Sequence, residues 1–138
     1  MNAELSTNKL HDIAHFGMRA TIGIIFIVHG FGKFGNPGFG GWISSMGIPA
    51  EMQIPIALAE FVPGILLLIG VLTRISSALL AIVMLGAIFL VKGGTSLTGD
   101  SGYEFDLILL AVSLVVIVSG PGRISVSHLI KKIPRFLH

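Results

Sequence analysis

Four long apolar runs constrain the fold of this chain more than any other feature of its sequence. They cover about residues 13–34, 54–72, 75–92 and 105–119. Each approaches the roughly 17–25 residues that a helix needs to cross about 30 Å of hydrocarbon, and the last run is the shortest. In lipid, only helices and closed barrels satisfy their backbone groups, and these runs lack the alternation of barrel strands. The sequence therefore predicts an all-α integral membrane protein whose four transmembrane helices form an antiparallel four-helix bundle.

Composition favours a membrane as the solvent for this chain. Hydrophobic residues make up 53% of the 138 residues and charged residues 12%, whereas soluble domains are about 25% charged. A chain of this length cannot hide so much apolar surface inside one water-exposed globule. We predict a single membrane domain over residues 1–138, surrounded by membrane lipids. The absence of cysteine excludes thiolate metal sites and iron–sulfur clusters within this chain, and we expect no metal site.

Basic residues flank the apolar runs unevenly, and this predicts the orientation of the chain. With four crossings, one side of the membrane receives most of them: Lys9, Arg74, Arg123, Lys131, Lys132 and Arg135. Cytoplasmic loops carry an excess of lysine and arginine. The sequence therefore predicts a multi-pass cell-membrane protein with both termini in the cytoplasm. The net charge of +2 is explained by this topology and gives no reason to expect nucleic acid.

Two segments outside the spans also favour helices. The first outer loop, residues 35–53, contains Trp42, which suits the aromatic belt, and its stretch "FGGWISSM" is compatible with a short interfacial helix. The tail, residues 124–138, spaces its apolar residues as a helix does and places Lys131 and Lys132 on other faces. This pattern predicts an amphipathic cytoplasmic helix that lies on the anionic membrane surface.

Polar side chains inside the spans are the best candidates for a site, because placing them in hydrocarbon is costly. His29 lies roughly 8 Å below the outer end of the first helix, and Glu60 roughly 9 Å below the same level on the second, from the rise of a helix. Lys33, Lys92 and Asp106 stand close to that level. The sequence thus predicts an outer cluster of these five residues.

The outer cluster has two interpretations. We expect His29 and Glu60 to face each other in the bundle interior, with Lys33 above them at the outer rim, and Gly30 and Gly32 leaving room for close helix packing. Such a group is either a structural clamp or a ligand-binding or proton-handling site. The candidates for the second role are His29, Lys33, Glu60 and Asp106. For Lys33 and Lys92 the simpler interpretation is snorkelling from helix ends. No residue is assigned a catalytic role.

Arginines at the inner end are interpreted as structural anchors. Arg19 has a side chain long enough to snorkel toward the cytoplasm, where Arg74 and Arg123 also lie. His11 and His15 are four residues apart, as metal ligands on a helix can be, but no third ligand accompanies them. We therefore expect both to be surface histidines.

Several ordered motifs resemble the DoxX/DoxD family of small four-helix membrane proteins. They are "MRATIGIIFIVHGFGKF" (18–34), "AEFVPGILLLIGVLTRISSALLAIVML" (59–85) and "YEFDLILLAVSLVVIVSGPGRIS" (103–125). The resemblance implies a membrane subunit associated with redox metabolism, since DoxD-like members act in thiosulfate:quinone oxidoreductases. The positions that match the family pattern are Arg19, His29, Lys33, Glu60, Thr73, Arg74 and Arg123.

Three functions remain open from the sequence. The first is an accessory, quinone-interacting subunit of an oxidoreductase rather than a self-sufficient enzyme, with quinone as its candidate cofactor. The second is a noncatalytic membrane scaffold or assembly factor. The third is a small transporter, which at this length needs to oligomerise to form a pathway. The first two require partners in a membrane protein complex, and the third a homo-oligomer.

Overall fold

The computed structural model describes residues 9–100 and 102–129, and all regular secondary structure in these ranges is helical. The helices are α1 (Lys9–Lys33), α2 (Pro37–Ser45), α3 (Gln53–Ile69), α4 (Thr73–Gly86), α5 (Glu104–Ser119) and α6 (Val126–Leu129). A 3₁₀ turn, Ala50–Met52, leads directly into α3, and a π-helical segment, Ala87–Val91, extends α4.

The all-helical prediction is confirmed in the described residues, and a helix stands at each predicted span. Three helical stretches, Lys9–Lys33, Ala50–Ile69 and Thr73–Val91, are long and apolar enough to cross a membrane. The helix predicted in the first outer loop is α2. Of the predicted amphipathic tail, α6 covers four residues, and residues 130–138 lie outside the described part of the chain.

The four longest helices pack side by side around a shared apolar core. Helix α1 packs against α3, α3 against α4 and α4 against α5, while α1 touches α5 more sparsely. The core contains Ile22, Phe26, Leu67, Leu80, Met84, Leu109 and Val116. Large apolar side chains also cover the surface of the molecule; Val118, for example, is 81% exposed. An exposed apolar surface of this extent suits a lipid environment.

Glycines allow α1 and α3 to approach closely. A Cβ atom on Gly23 would lie 2.8 Å from the carbonyl oxygen of Gly64, and one on Gly30 would lie 2.6 Å from the backbone nitrogen of Phe61. The predicted packing role of Gly30 is therefore confirmed. The same prediction for Gly32 is wrong, because that position is exposed and a Cβ there would meet nothing within 4 Å.

A tight hairpin joins α3 to α4. Gly70 adopts a left-handed conformation with φ 76°, and its N–H donates to the carbonyl of Leu66 at 2.9 Å. This is a usual way to end a helix, because glycine lacks the Cβ that makes left-handed backbone unfavourable. Leu72 then takes the same region, with φ 48°, immediately before α4 begins at Thr73.

Arg19 connects three segments at the end of the molecule that contains the α3–α4 hairpin; this end is called the inner end below, and the opposite end the outer end, after the predicted orientation. Its guanidinium donates to the carbonyls of Leu67, at 2.7 Å, of Ile124, at 2.7 Å, and of Pro121. The residue is 1% exposed. The expected snorkelling toward the surface is therefore wrong. Arg19 lies in the interior because one carbonyl near the end of α3 and two in the segment between α5 and α6 supply the acceptors that its planar N–H groups need.

Candidate functional site

A cavity of about 350 Å³ lies at the outer end of the molecule. Its walls come from α3, α4 and the π-helical segment, and α2 covers it with Phe39, Trp42 and Ile43. Helix α2 is capped at its N-terminus by Asn36, whose side chain accepts a hydrogen bond from the N–H of Gly38 at 3.0 Å. Ile43 is almost fully buried. Most residues that line the cavity are apolar, as in ligand pockets generally.

The polar groups of the cavity are the five residues of the outer cluster. His29, Lys33, Glu60, Lys92 and Asp106 all line it, although they come from different segments of the chain. The structure thus brings together every member that depth along the helices had predicted. Their pairing within the cluster differs from the expectation in one respect.

Lys33 and Glu60 form the first ion pair. Lys33 Nζ lies 2.5 Å from Glu60 Oε2, and the two side chains are 23% and 4% exposed. Lys33 Nζ also lies 5.6 Å from the ring centroid of Phe39 in α2. The ammonium group stands at the cavity wall with one anionic and one aromatic partner, so α1, α2 and α3 all contribute to its position.

His29 does not pair with Glu60 in the way that the sequence predicted. In the described residues, the hydrogen-bond partner of the Glu60 carboxylate is Lys33. His29 is exposed and lines the cavity from its edge. Its ring centroid lies 6.0 Å from that of Phe105 on α5. The prediction that His29 and Glu60 face each other in the interior is wrong, because the longer lysine one turn away reaches the carboxylate.

Lys92 and Asp106 form the second ion pair. Lys92 Nζ lies 2.5 Å from Asp106 Oδ2, without the angular geometry of a hydrogen bond, and the side chains are 26% and 11% exposed. Lys92 follows the π-helical segment, whose residues Ala87, Leu90 and Val91 line the same cavity. Single π turns occur within α-helices and are frequent at functional sites. Nothing in the sequence signalled this one.

Gln53 holds the rim of the site and was not predicted. Its Nε2 donates to the carbonyl of Lys33 at 2.8 Å and to that of Asn36 at 2.7 Å. The first bond satisfies the carbonyl of the last residue of α1. The second reaches the N-cap residue of α2, whose carbonyl also accepts from the N–H of Phe39. A glutamine at the start of an apolar span was the available signal. Trp42 was assigned to the aromatic belt, and its place in the cavity wall was missed.

The remaining polar candidates lie at the inner end, away from the cavity. Arg123 Nη1 lies 3.8 Å from Asp12 Oδ2, and both side chains are partly exposed. His15 Nε2 lies 2.9 Å from Ser119 Oγ, and the histidine is half-buried rather than at the surface as expected, whereas His11 is exposed. In residues 9–100 and 102–129, no three metal-ligating side chains come together.

Comparison with known proteins gives the family. Residues 14–93 match the DoxX family, which is more than half of the chain and includes His29, Lys33 and Glu60. The chain belongs to the DoxX family. Two relatives of this DoxX protein are named as membrane proteins. One is "Inner membrane protein YqjF" of Escherichia coli, 31% identical over 127 residues, which are 90% of this chain and 97% of the relative.

The other is "Uncharacterized membrane protein Rv3486" of Mycobacterium tuberculosis, 33% identical over 132 residues, covering 83% of this chain and 80% of the relative. "Putative oxidoreductase CatD" of Bacillus subtilis is 38% identical over 114 residues, covering 82% of this chain and 84% of the relative. No solved structure matches this DoxX protein. The family resemblance seen in the sequence is therefore confirmed, and the protein is a DoxX family membrane protein with apolar helices suited to lipid.

Proposed function

We propose that this DoxX protein is an accessory membrane subunit of a redox complex, and that its outer cavity binds the head group of a quinone. The observation that carries the proposal is the cavity itself. About 350 Å³ of mostly apolar space is lined by two lysine–carboxylate pairs. A relative that covers most of the chain is named "Putative oxidoreductase CatD", which supports the redox context.

The proposal places the helices α1, α3, α4 and α5 across the membrane as an antiparallel four-helix bundle. Both termini then lie in the cytoplasm. Support comes from Arg74 and Arg123, which stand at the inner end, where Arg123 meets Asp12. Basic residues collect on the cytoplasmic side of membrane proteins. The cavity then lies in the outer half of the bundle, within reach of molecules dissolved in the lipid.

The residues of the cavity match the chemistry of a quinone. Quinone carbonyl oxygens accept hydrogen bonds, and lysine ammonium groups donate them. Glu60 and Asp106 hold the two lysines at the wall, and the apolar side chains around them fit the ring and the first part of its tail. Reduction of a quinone to a quinol consumes two electrons and two protons. In this proposal a partner protein supplies the electrons, and the lysine–carboxylate pairs pass the protons.

Trp42 provides a direct test, because it is the one tryptophan of the chain and lines the cavity. Titration of the purified protein in detergent with a short-tailed quinone should quench its fluorescence saturably. The double variant Lys33→Gln/Glu60→Gln keeps two hydrogen-bonding groups but removes both charges. Its apparent Kd for the quinone should rise by roughly tenfold, as expected for loss of a charge-assisted hydrogen bond.

Two controls accompany the titration. Arg123→Gln changes an exposed residue at the inner end and should leave the quenching curve unchanged. A circular dichroism melt shows whether each variant is folded. Absence of saturable quenching in folded wild-type protein would overturn the quinone site, and so would equal quenching by an isoprenoid alcohol, which lacks the quinone carbonyls.

A noncatalytic scaffold is the second candidate function. The observation that favours it is that each carboxylate of the cavity already has a lysine partner, as in a purely structural clamp. A scaffold should show no saturable quinone binding. Its partner proteins should co-purify with the wild-type protein. They should be lost only from variants whose helix bundle is destabilised. Retention of partners together with loss of quinone binding in the double variant would favour the redox subunit.

A further inference from the structure

Among the residues that the structure describes, four buried hydroxyl groups at the inner end of the molecule have no hydrogen-bond partner. Thr73, Ser76 and Ser77 belong to the first turns of α4, and Ser127 belongs to α6. Their exposed fractions are 0%, 1%, 0% and 6%. Buried polar groups are nearly always hydrogen-bonded, and each exception calls for an explanation.

The usual partner of a hydroxyl in a helix is the carbonyl four residues earlier. Other helical hydroxyls of this chain use that partner. Ser113 Oγ donates to the carbonyl of Leu109 at 2.8 Å, and Thr21 Oγ1 donates to that of Gly17 at 2.7 Å. Ser76 and Ser77 do not. Their hydroxyl protons are therefore available to a further group.

The free hydroxyls belong to one region. Thr73, Ser76 and Ser77 are at positions i, i+3 and i+4 and all lie on the buried face of α4, which places them on one side of the helix. Ser127 is attached close to the start of this helix, because its N–H donates to the carbonyl of Gly70 at 3.1 Å. The four hydroxyls thus lie around the N-terminus of α4.

Two arginines adjoin this region, and the carboxylate of Asp12 at the same end lies 3.8 Å from Arg123 Nη1. A Cβ atom on Gly70 would lie 3.0 Å from Nη1 of Arg19, so this buried guanidinium adjoins the hairpin that leads into α4. Arg19 donates to three carbonyls, and no described ion pair includes it. Nε of Arg74 is also buried without a partner. The N-terminus of α4 adds the positive end of its dipole.

We propose that these groups form a binding site for a chloride-sized monovalent anion. The hydroxyls and the Arg74 Nε–H are donors, and the buried Arg19 forms no ion pair within the described residues, so an anion satisfies both needs at once. The two arginines disfavour a cation. The unpartnered oxygen atoms are shielded from solvent, which favours a small ion over a lipid phosphate. This site is separate from the outer cavity and does not depend on a quinone.

Thermal unfolding at constant ionic strength tests the proposal. Gluconate, which is too large for the site, is replaced stepwise by chloride from 10 to 300 mM in the purified protein. A ligand that binds only the folded state raises the Tm with its concentration. Above the Kd, we expect a rise of about 4 °C for each tenfold increase in chloride, from the usual size of Tm shifts.

Two substitutions with a matched control localise the effect. Thr73→Val replaces the hydroxyl by a methyl group of similar size, and Ser77→Ala removes one hydroxyl. Both should reduce the chloride-dependent rise by half or more. Ser113→Ala removes a hydroxyl that is equally buried but has its own acceptor, and it should leave the rise unchanged.

A second measurement needs no variant. Crystals of the wild-type protein grown in bromide should show an anomalous peak between Ser77 and Ser127. Ordered water in place of bromide at that position would overturn the proposal. So would a Tm that rises equally in gluconate, or a full chloride response in folded Thr73→Val and Ser77→Ala.

Discussion

Lys33 Nζ lies 2.5 Å from Glu60 Oε2 and joins the outer end of α1 to the middle of α3. The carboxylate side chain is 4% exposed and the lysine 23% exposed, so the acid depends on this partner far more than the base does. An ionised carboxylate that loses its only counter-charge in a low-dielectric surrounding is strongly destabilising.

Lys33→Met should therefore destabilise the protein by about 3 kcal/mol, because it leaves the Glu60 carboxylate buried and unpaired. The double variant Lys33→Met/Glu60→Leu removes both charges and should recover most of that loss. Unfolding in detergent, followed by circular dichroism, measures both variants. A double variant that is no more stable than Lys33→Met would contradict the assignment of the loss to an unpaired charge.

Hydropathy predicted where the long helices lie, and its largest error at a helix end is at the start of α1. Apolar runs report the part of a helix that fits the hydrocarbon, whereas α1 starts at Lys9 and includes polar residues beyond that part. The type of helix at the end of the third span was not predicted. The five residues that follow α4 form a π-helical segment, and whether an N–H bonds to the carbonyl four or five residues earlier leaves no clear trace in an apolar sequence.

Depth along the helices was sufficient to predict which charged residues and which histidine share the cavity. It was insufficient to predict their pairing, because pairing also depends on helix rotation and side-chain length. His29 and Glu60 stand at similar depth, yet Lys33, one turn above, has the longer side chain and forms the contact. The chemical roles of these residues stay predictions, which the quinone titration addresses.

Gly30 and Gly32 form a matched pair of sites for testing the α1–α3 contact. A Cβ atom on Gly30 would lie 2.6 Å from the backbone nitrogen of Phe61, whereas one on Gly32 would meet nothing within 4 Å. Alanine favours a helix over glycine by about 1 kcal/mol at either position. We expect Gly32→Ala to be neutral or slightly stabilising.

Gly30→Ala should instead lower the Tm, because backbone atoms of α3 cannot move aside without separating the two helices. A loss of about 2 kcal/mol is expected for overpacking of this kind. Melting curves of the two variants in the same detergent give the comparison. Equal behaviour of Gly30→Ala and Gly32→Ala would show that the close approach of α1 and α3 does not stabilise the protein.

The proposed orientation can be measured against a clean background, because the chain contains no cysteine. Ser96 lies in the outer loop and His128 in α6, and both are exposed. In intact cells, Ser96→Cys should react with a membrane-impermeant maleimide, and His128→Cys should react only after permeabilisation. Reaction of His128→Cys in intact cells would place the C-terminus outside and reverse the topology.

Arg19 provides the last prediction, since it joins the end of α3 to the segment that carries α6. Arg19→Lys keeps the charge, but an ammonium group cannot bond three separated carbonyls as the planar guanidinium does. We expect the segment after α5 to open more often. Ser127 is buried, so a cysteine at this position reacts with a maleimide only when the segment opens. Labelling of Ser127→Cys in detergent should be about tenfold faster in the Arg19→Lys protein. This factor corresponds to the loss of roughly one hydrogen bond. The neighbouring His128→Cys is exposed and should label at the same rate in both backgrounds. Unchanged labelling of Ser127→Cys in a folded Arg19→Lys protein would mean that other contacts hold this segment in place.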